Sequence, residues 1–207
     1  MDRLWAILIG YLFGNFLFAM VVGKYCLHID PTKYGSHNPG AANMGAVFGK
    51  KWGILTCLGD LIKSFLAVGI VYFGFKHNLL LIAYTGLGLM LGHCFPLLNK
   101  LQGGKGVAVA AVVAVCYNWQ AGLITLLIAL VLTIFMKNLT IPPQMFILLF
   151  SVYIIFGLHE IEAGIIFLAI SAIMIIRFWR DSIDFFTGHG KKVDILYSIK
   201  KKLLRRN

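Results

Sequence analysis

Apolar windows long enough to cross a lipid bilayer follow one another along this chain, separated by short polar breaks. The hydrocarbon core of a membrane is about 30 Å thick, which takes roughly 20 helical residues. Hydrophobic residues make up 59% of the 207 residues and charged residues only 13%. Because lipid offers no water to bind the backbone, apolar spans of this length are expected to be helices. The sequence predicts an all-α polytopic membrane protein with one domain, residues 1–207.

We predict seven transmembrane helices, some of them short. They cover about 4–23, 52–75, 79–98, 104–117, 119–136, 144–158 and 161–179. The first window lacks a small-residue cleavage site, so it is interpreted as a retained helix and not as a signal peptide. The fourth and sixth are expected to tilt, to be partly re-entrant or to be shielded by neighbours. A G-x-x-x-G pair, Gly10 and Gly14, favours close helix packing in the first span.

The distribution of lysine and arginine orients these helices. With the N-terminus outside, 16 of the 19 Lys and Arg residues fall in inward segments or in the C-terminal tail. The outward segments then contain only Arg3 and Lys76. The excess of positive charge on cytoplasmic segments predicts an N-terminus outside and a C-terminus in the cytoplasm. The tail, 181–207, alternates leucine and isoleucine with basic residues and is predicted to lie as a basic amphipathic helix on the inner leaflet.

The net charge of +11 does not indicate nucleic-acid binding. The basic residues lie in loops and a tail beside apolar spans, where membrane topology and anionic lipid headgroups account for them. The four cysteines form no C-x-x-C pair, and we predict four structural thiols with no metal site.

The most informative polar segment is the glycine run Gly103-Gly104-Lys105-Gly106, which directly precedes an apolar span. A helix N-terminus offers free N–H groups and a partial positive charge, and glycine lets a ligand approach the backbone. This arrangement predicts a phosphate site at a membrane surface. It differs from a Walker A loop because Gly106 stands where Ser or Thr would hold magnesium, which disfavours an NTPase.

His93 lies just before this run, at the inner end of the third predicted span. A histidine there can donate or accept a proton at a headgroup, since its ordinary pKa is roughly 6.5. The alternative is a structural histidine that binds a backbone carbonyl and fixes the break at Pro96.

A second polar cluster occupies 35–43, on the same predicted side of the membrane. Its small residues permit tight turns, and neutral hydrogen-bonding groups are offered by Ser36, His37, Asn38 and Asn43, with Gly40 between them. Such a set can hold a phosphate or a polyol. Taken alone, it is equally typical of a turn-rich loop.

Charged residues inside or near the spans form a third group. Asp60 and Lys63 are three residues apart on one helical face, and charges at membrane depth usually pair. They are predicted to form an ion pair, either structural or part of a substrate or proton path. Arg177 and Arg180 at the end of the last span either contact a substrate phosphate or extend to lipid headgroups.

Taken together, these motifs resemble the bacterial acyl-phosphate:glycerol-3-phosphate acyltransferase family, PlsY, over nearly the full chain. The family's second motif, close to G-H-x-F-P and then G-G-K-G-V-A, is matched by Gly92, His93, Phe95, Pro96, Gly103, Gly104, Lys105, Gly106, Val107 and Ala108. Its first motif, close to S-G-N-x-G-A-T-N, is matched by Ser36, Asn38, Gly40, Ala41 and Asn43, and a following D-x-x-K by Asp60 and Lys63.

The chain also departs from the family pattern. In the first motif, His37 replaces a Gly, Ala42 a Thr and Ala46 an Arg. The third motif, close to H-R-x-N-I-x-R-L with a later Gly and Glu, keeps Arg180 but has Trp179 for the His, Ser182 for the Asn, Phe185 for the second Arg and Gly190 near the Glu position. The resemblance therefore indicates a divergent member.

The resemblance implies transfer of a fatty acyl group from acyl phosphate to the 1-hydroxyl of glycerol 3-phosphate, with no cofactor, at the cytoplasmic side of the bacterial cell (inner) membrane. The implied catalytic residues are Ser36, Asn38, His93 and Lys105. The implied phosphate-binding residues are Gly40, Asn43, Gly103, Gly104, Gly106 and Arg180. Two alternatives remain open: an acyltransferase with another polyol-phosphate or glycan acceptor, and a non-catalytic anion-binding or transport protein.

Overall fold

The computed structural model describes residues 1–190, and this part of the chain is helical and contains no strand. Its α-helices are α1 Asp2–Gly14, α2 Phe18–Val22, α3 Ala41–Phe48, α4 Lys50–Gly74, α5 Leu79–Cys94, α6 Val107–Tyr117, α7 Trp119–Met136, α8 Ile141–Phe156 and α9 Ile161–Phe186. Turns of π- or 3-10 helix lie at Gly23–Leu27, Pro31–Lys33 and Leu97–Asn99. The predicted all-α class is confirmed.

Five segments of the described chain are long and apolar enough to cross a membrane: Asp2–Leu27, Lys50–Gly74, Leu79–Asn99, Trp119–Met136 and Ile161–Phe186. The short fourth and sixth predicted spans correspond to α6 and α8. The 11 residues of α6 extend only about 16 Å. This helix packs against α4, α5, α7 and α8, which shield it from lipid. The chain is a multi-pass membrane protein, and its count of seven spans stays a prediction.

The tightest helix pair joins α1 to α5, and glycines on both helices make it possible. A Cβ atom at Gly10 would overlap the carbonyl oxygen of Thr85, and one at Gly92 would overlap that of Tyr11. The pair Gly10 and Gly14 therefore packs as a G-x-x-x-G motif should, backbone against backbone. This contact places the end of α1 beside the end of α5.

The sequence predicts one helix over 4–23, whereas the structure divides it at 15–17 into α1 and α2. The cause is a tertiary contact. The ammonium group of Lys63 donates to the carbonyl oxygens of Gly14 at 3.3 Å and Phe16 at 2.8 Å. Backbone groups freed by a break inside a membrane need such a partner, and here a buried cation provides it.

Two further boundaries differ from the prediction. The segment 24–51, which lies between the first two predicted spans, contains α3. The last helix, α9, continues to Phe186 and so includes the start of the predicted tail, 181–207. Residues 191–207 lie outside the described part of the chain, and the prediction of an amphipathic helix there is untested.

The antiparallel course of α4 and α5 gathers the predicted site residues at one end of the bundle, which we call the site end. The middle of α4 around Lys63, the end of α5, the start of α6 and the last turns of α9 meet there. At the opposite end, Arg3 pairs with Glu162 at 2.8 Å. The core between the ends contains Phe146, Phe150 and Phe167, with the rings of Phe150 and Phe167 edge to face at 4.8 Å.

Candidate active site

The glycine loop, residues 103–106, lies directly on the end of α5. A Cβ atom at Gly103 would overlap the carbonyl oxygen of His93, and one at Gly104 would overlap the Nε2 atom of the same histidine. The backbone N–H of Gly104 donates to the His93 carbonyl at 2.9 Å. Only residues without side chains permit this approach, so the two glycines are required by packing as well as by any ligand.

The loop ends at Gly106, whose φ of +77° belongs to the left-handed region that favours glycine. Gly106 is also the N-cap of α6, and no side chain caps the helix. The first N–H groups of a helix have no partner within it, and the helix dipole adds a partial positive charge. The start of α6 therefore has the chemistry of an anion site, with Lys105 beside it.

A buried polar cluster supports the loop from below. The Nζ atom of Lys63 lies 3.0 Å from the Oδ1 atom of Asp60 and 3.0 Å from the Nδ1 atom of His93. All three residues are at most 4% exposed. The ammonium group uses its three N–H donors on the Gly14 and Phe16 carbonyls and on His93, and Asp60 is its ion-pair neighbour. The cluster joins α1, α4 and α5.

These contacts define the tautomer of His93. An ammonium group only donates hydrogen bonds, so the Nδ1 atom of His93 accepts from Lys63 and the proton of the neutral ring is on Nε2. That N–H faces Gly104 from beneath the loop. The structure thus places His93 under the loop and bound to Lys63, a partner that neither interpretation of the sequence included.

Side chains of α9 hold the loop from the other side. Arg177 donates from Nη2 to the carbonyl oxygen of Gly103 at 2.6 Å and from Nε to that of Gly104 at 3.1 Å. Asp181, one turn further, pairs through Oδ2 with the Nζ atom of Lys105 at 2.7 Å. Arg177 and Asp181 are four residues apart, a spacing that places both on one helix face, but the sequence motifs did not include Asp181 in the site. Arg180 is exposed and makes no hydrogen bond or ion pair with another residue of 1–190.

The second polar segment, 35–43, is organised by its own side chains. Asn43 is 4% exposed, accepts from the backbone N–H of Ser36 at 2.9 Å, and donates to the carbonyl oxygens of Tyr34 and Pro31 at 3.0 and 3.3 Å. Gly35 adopts a φ of +62° over this amide. The structure therefore places Asn43 as an internal support of the loop, which leaves the neighbouring groups exposed.

The exposed groups of this segment surround the start of α3. The side chain of Ser36 is exposed, and Asn38 lies close to the N-cap residue Gly40, which has no side-chain cap either. His37 binds the Thr32 carbonyl through Nδ1 at 2.9 Å. A second uncapped helix start therefore carries a hydroxyl and an amide at the site end.

A local cap fixes the entry to this segment. Asp30 accepts from the hydroxyl and the backbone N–H of Thr32 at 2.6 and 3.0 Å. The hydroxyl contact is the main reason that the pKa of Asp30 lies below its ordinary value of 3.8, with Lys33 adding a weaker electrostatic contribution.

Helix α4 connects the two segments. Its Gly53 packs against the carbonyl oxygen of Ala41 at the start of α3, and its Lys63 binds His93 under the glycine loop. These anchoring points are about 15 Å, or three turns, apart along one helix. Segment 35–43 therefore lies on the same side of the bundle as the glycine loop, about three turns further toward the start of α4.

An apolar cavity of about 420 Å³ lies beside the buried cluster, between the α1–α2 break and α4. Its lining residues are Leu12, Phe13, Phe16, Phe18, Ile62, Lys63 and Leu66. Leu12, Phe16, Ile62 and Leu66 are also exposed on the outside of the bundle, so the cavity borders the lipid-facing surface.

The chain is similar in sequence to a family of known proteins. The family model described as glycerol-3-phosphate acyltransferase matches residues 4–188. A protein of Lactobacillus acidophilus named glycerol-3-phosphate acyltransferase 1 is 68% identical over 98% of both chains. A protein of Burkholderia ambifaria named glycerol-3-phosphate acyltransferase is 36% identical over 87% of this chain and 84% of its own.

Solved structures show the same fold. The crystal structure of PlsY, an integral membrane glycerol 3-phosphate acyltransferase, in its glycerol 3-phosphate form superposes with a TM-score of 0.85 at 25% identity, over 96% of this chain and 99% of PlsY. The lysophosphatidic acid form gives a TM-score of 0.81. The chain belongs to the glycerol-3-phosphate acyltransferase family of integral membrane proteins.

Proposed function

We propose that this protein is a membrane acyltransferase that moves a fatty acyl group from acyl phosphate to the 1-hydroxyl of glycerol 3-phosphate, giving lysophosphatidic acid and phosphate. Family membership supports the acyltransferase activity and glycerol 3-phosphate as acceptor. The observation that carries the site is the glycine loop, which is fixed by α5 and α9 and opens on the uncapped start of α6. The acyl-phosphate donor rests on the resemblance of the motifs.

The proposed chemistry matches what such a site provides. An acyl phosphate is a mixed anhydride and is already activated, so the protein mainly needs to orient two substrates and stabilise developing negative charge. The 1-hydroxyl oxygen forms a bond to the acyl carbon, the bond from that carbon to the phosphate oxygen breaks, and phosphate leaves with the electron pair. A substrate phosphate accepts the hydroxyl proton.

We assign roles to the site residues accordingly. Lys105 and the backbone at Gly103, Gly104 and Gly106 bind a substrate phosphate. Ser36 and Asn38 align the hydroxyl or polarise the acyl carbonyl, beside the start of α3 at Gly40. Asn43 and His93 position these groups from within, because their side chains are buried and bound to the protein. Arg180 is exposed and free to contact a phosphate or a lipid headgroup.

The acyl tail of the donor fits the apolar cavity beside Lys63. The cavity borders the lipid-facing surface, so a tail can enter sideways from the membrane. Lys63, the charged residue of its lining, also binds His93 beneath the glycine loop. The cavity therefore lies next to the group that supports the phosphate site.

An enzyme assay tests the proposal. Purified protein in liposomes should form lysophosphatidic acid from palmitoyl phosphate and glycerol 3-phosphate, with equal release of phosphate, and palmitoyl-CoA should not replace the donor. Product formed from the CoA thioester would contradict the donor assignment. Product formed only with another polyol phosphate would show that glycerol 3-phosphate is not the acceptor. Absence of product with every donor and acceptor pair would contradict the proposed activity.

The proposed orientation, with the site end in the cytoplasm, has its own test. Cys26 is exposed near the site end, whereas Cys57 and Cys116 are half-buried and Cys94 is buried. A membrane-impermeant maleimide should label Cys26 in inside-out vesicles and not in intact cells. A cysteine placed at Lys76, which is at the opposite end, should give the reverse pattern, and equal labelling of Cys26 from both sides would contradict the topology.

A further inference from the structure

The sequence predicted that Arg177 contacts a substrate phosphate or extends to lipid headgroups, and the structure shows a third arrangement. Its guanidinium group spans two successive carbonyl oxygens of the glycine loop, those of Gly103 and Gly104, and lies 5.6 Å from the centre of the Phe95 ring. A planar guanidinium can bind two acceptors in a fixed geometry, which the single ammonium group of lysine cannot reproduce. Arg177 is therefore built into the loop and does not extend to lipid headgroups.

Because the peptide bond is planar, the contact of Arg177 with the Gly104 carbonyl also fixes the direction of the Lys105 N–H. In a trans peptide the N–H points away from the C=O of the same unit. The peptide that joins Gly104 to Lys105 directs its carbonyl at Arg177, so the Lys105 N–H points to the opposite side of the loop. Within residues 1–190 this N–H has no hydrogen-bond acceptor, whereas the N–H of Gly104 is bound to His93. One donor is thus left free beside the start of α6.

The side chain of Lys105 is in a different situation. It is paired with Asp181 and lies 4.5 Å from the centre of the Phe178 ring. A phosphate that binds the Lys105 ammonium group has to replace or share this carboxylate. The contacts of Arg177 with the two carbonyls do not involve the Lys105 ammonium group, so a phosphate can bind that group without breaking them.

We propose that Arg177 is a positioning residue for the acyl transfer. It fixes the two glycine peptides so that the Lys105 N–H faces the phosphate group of a substrate, and its charge adds positive potential behind the loop without touching the substrate. This inference rests on the proposed phosphate role of the loop. The ligand is a phosphate group, which belongs either to glycerol 3-phosphate or to the acyl phosphate.

Two substitutions test the proposal with the full-length enzyme in liposomes. Arg177→Gln removes the positive charge and the guanidinium group that binds both carbonyls. Arg177→Lys keeps the charge but cannot bind both carbonyls in the same geometry. The KM for glycerol 3-phosphate, the KM for palmitoyl phosphate and the inhibition constant of inorganic phosphate are measured for each variant, together with the unfolding temperature. Arg3→Gln, which breaks an exposed ion pair at the opposite end, is the matched control.

We expect Arg177→Gln to raise the KM of one phosphate substrate about tenfold or more, as for the loss of hydrogen bonds from a charged group. Arg177→Lys should raise the same KM by a smaller factor, and the affected substrate identifies which phosphate the loop binds. The inhibition constant of inorganic phosphate should rise in parallel. Arg3→Gln should leave all three constants unchanged.

Other outcomes would overturn the inference. Both KM values within twofold of wild type in folded Arg177→Gln would show that the loop needs no such support. A fall in kcat with both KM values unchanged would assign Arg177 to the transition state and not to phosphate binding, and loss of the folded protein in both variants would assign it to the fold. An inactive wild-type enzyme would instead remove the proposed function, so the two failures are distinguishable.

Discussion

The two glycine-rich segments at the site end are held in opposite ways. Segment 35–43 is fixed locally, because Asn43 binds backbone groups no more than 12 residues away. The glycine loop is fixed by distant elements, since Arg177 reaches it across 73 and 74 residues and His93 rests on Lys63 of another helix.

The two segments therefore differ in how much their conformation depends on the packing of other helices. A local network depends mainly on contacts within its own stretch of sequence. A loop that is held by remote side chains exists only when α4, α5 and α9 have packed correctly. Substitutions far from the glycine loop should therefore affect phosphate binding, whereas segment 35–43 should respond mainly to changes within itself.

The largest effect is expected from Lys63→Met. The change leaves Asp60 buried without its partner and the Gly14 and Phe16 carbonyls without a donor. Breaking a buried ion pair costs about 3–5 kcal/mol of unfolding free energy. Thermal unfolding in detergent should show a strongly lowered midpoint. The double variant Asp60→Asn/Lys63→Met should recover part of the loss, and an unchanged midpoint for the single variant would contradict the support role.

Gly104→Ala should displace the glycine loop from the end of α5. A methyl group there would overlap the Nε2 atom of His93, so the loop must shift away from α5. A misplacement of about 1 Å can reduce kcat/KM about 100-fold. Gly69→Ala on α4 is the matched control, because a methyl group there meets nothing within 4 Å. Equal kcat/KM in the two variants would show that loop position is unimportant.

Lys105→Ala should raise the KM of the substrate whose phosphate it binds about tenfold, as expected for one charge-assisted hydrogen bond. The exposed residue Lys100 in the same connection offers a control, since Lys100→Ala removes the same charge outside the loop. Steady-state kinetics over glycerol 3-phosphate and acyl phosphate measures both variants. A similar rise in KM for Lys100→Ala would show that Lys105 acts through general electrostatic attraction and not through a specific contact.

Ser36→Ala tests the locally held segment. The Ser36 contact with Asn43 uses the backbone N–H, so removal of the hydroxyl should leave the loop intact. We expect kcat to fall about fivefold with KM unchanged, within the range of one neutral hydrogen bond. A raised KM with unchanged kcat would instead assign the hydroxyl to ground-state binding.

The smallest effect concerns the cap at the entry to segment 35–43. Asp30→Ala should lower the unfolding free energy by about 1 kcal/mol at neutral pH, as for loss of an N-cap. Because folding lowers the pKa of Asp30, its contribution is present above its ordinary value of 3.8 and is lost as the pH falls through the folded-state pKa. The difference from wild type should disappear in acid, and a difference that is independent of pH would contradict the ionised cap.

Much of the framework was accessible from local patterns. Hydropathy predicted the helical class, and the glycine run was placed directly before the helix that became α6. The spacing of Asp60 and Lys63 predicted their contact, which the structure shows at 3.0 Å. The break after Gly14 and the partner of His93 were not predicted, because Lys63 reaches them across 49 and 30 residues. No periodicity in the sequence carries that information.

The sequence by itself determined that this chain must be a bundle of membrane helices with glycines and a lysine at a helix start. Lipid excludes unpaired backbone groups, and glycine permits close approach, wherever the chain folds. Only the tertiary structure decided which side chains complete the site. Lys63, Arg177 and Asp181 donate to or accept from groups that packing brings within 3.3 Å, and such contacts depend on how helices meet in space.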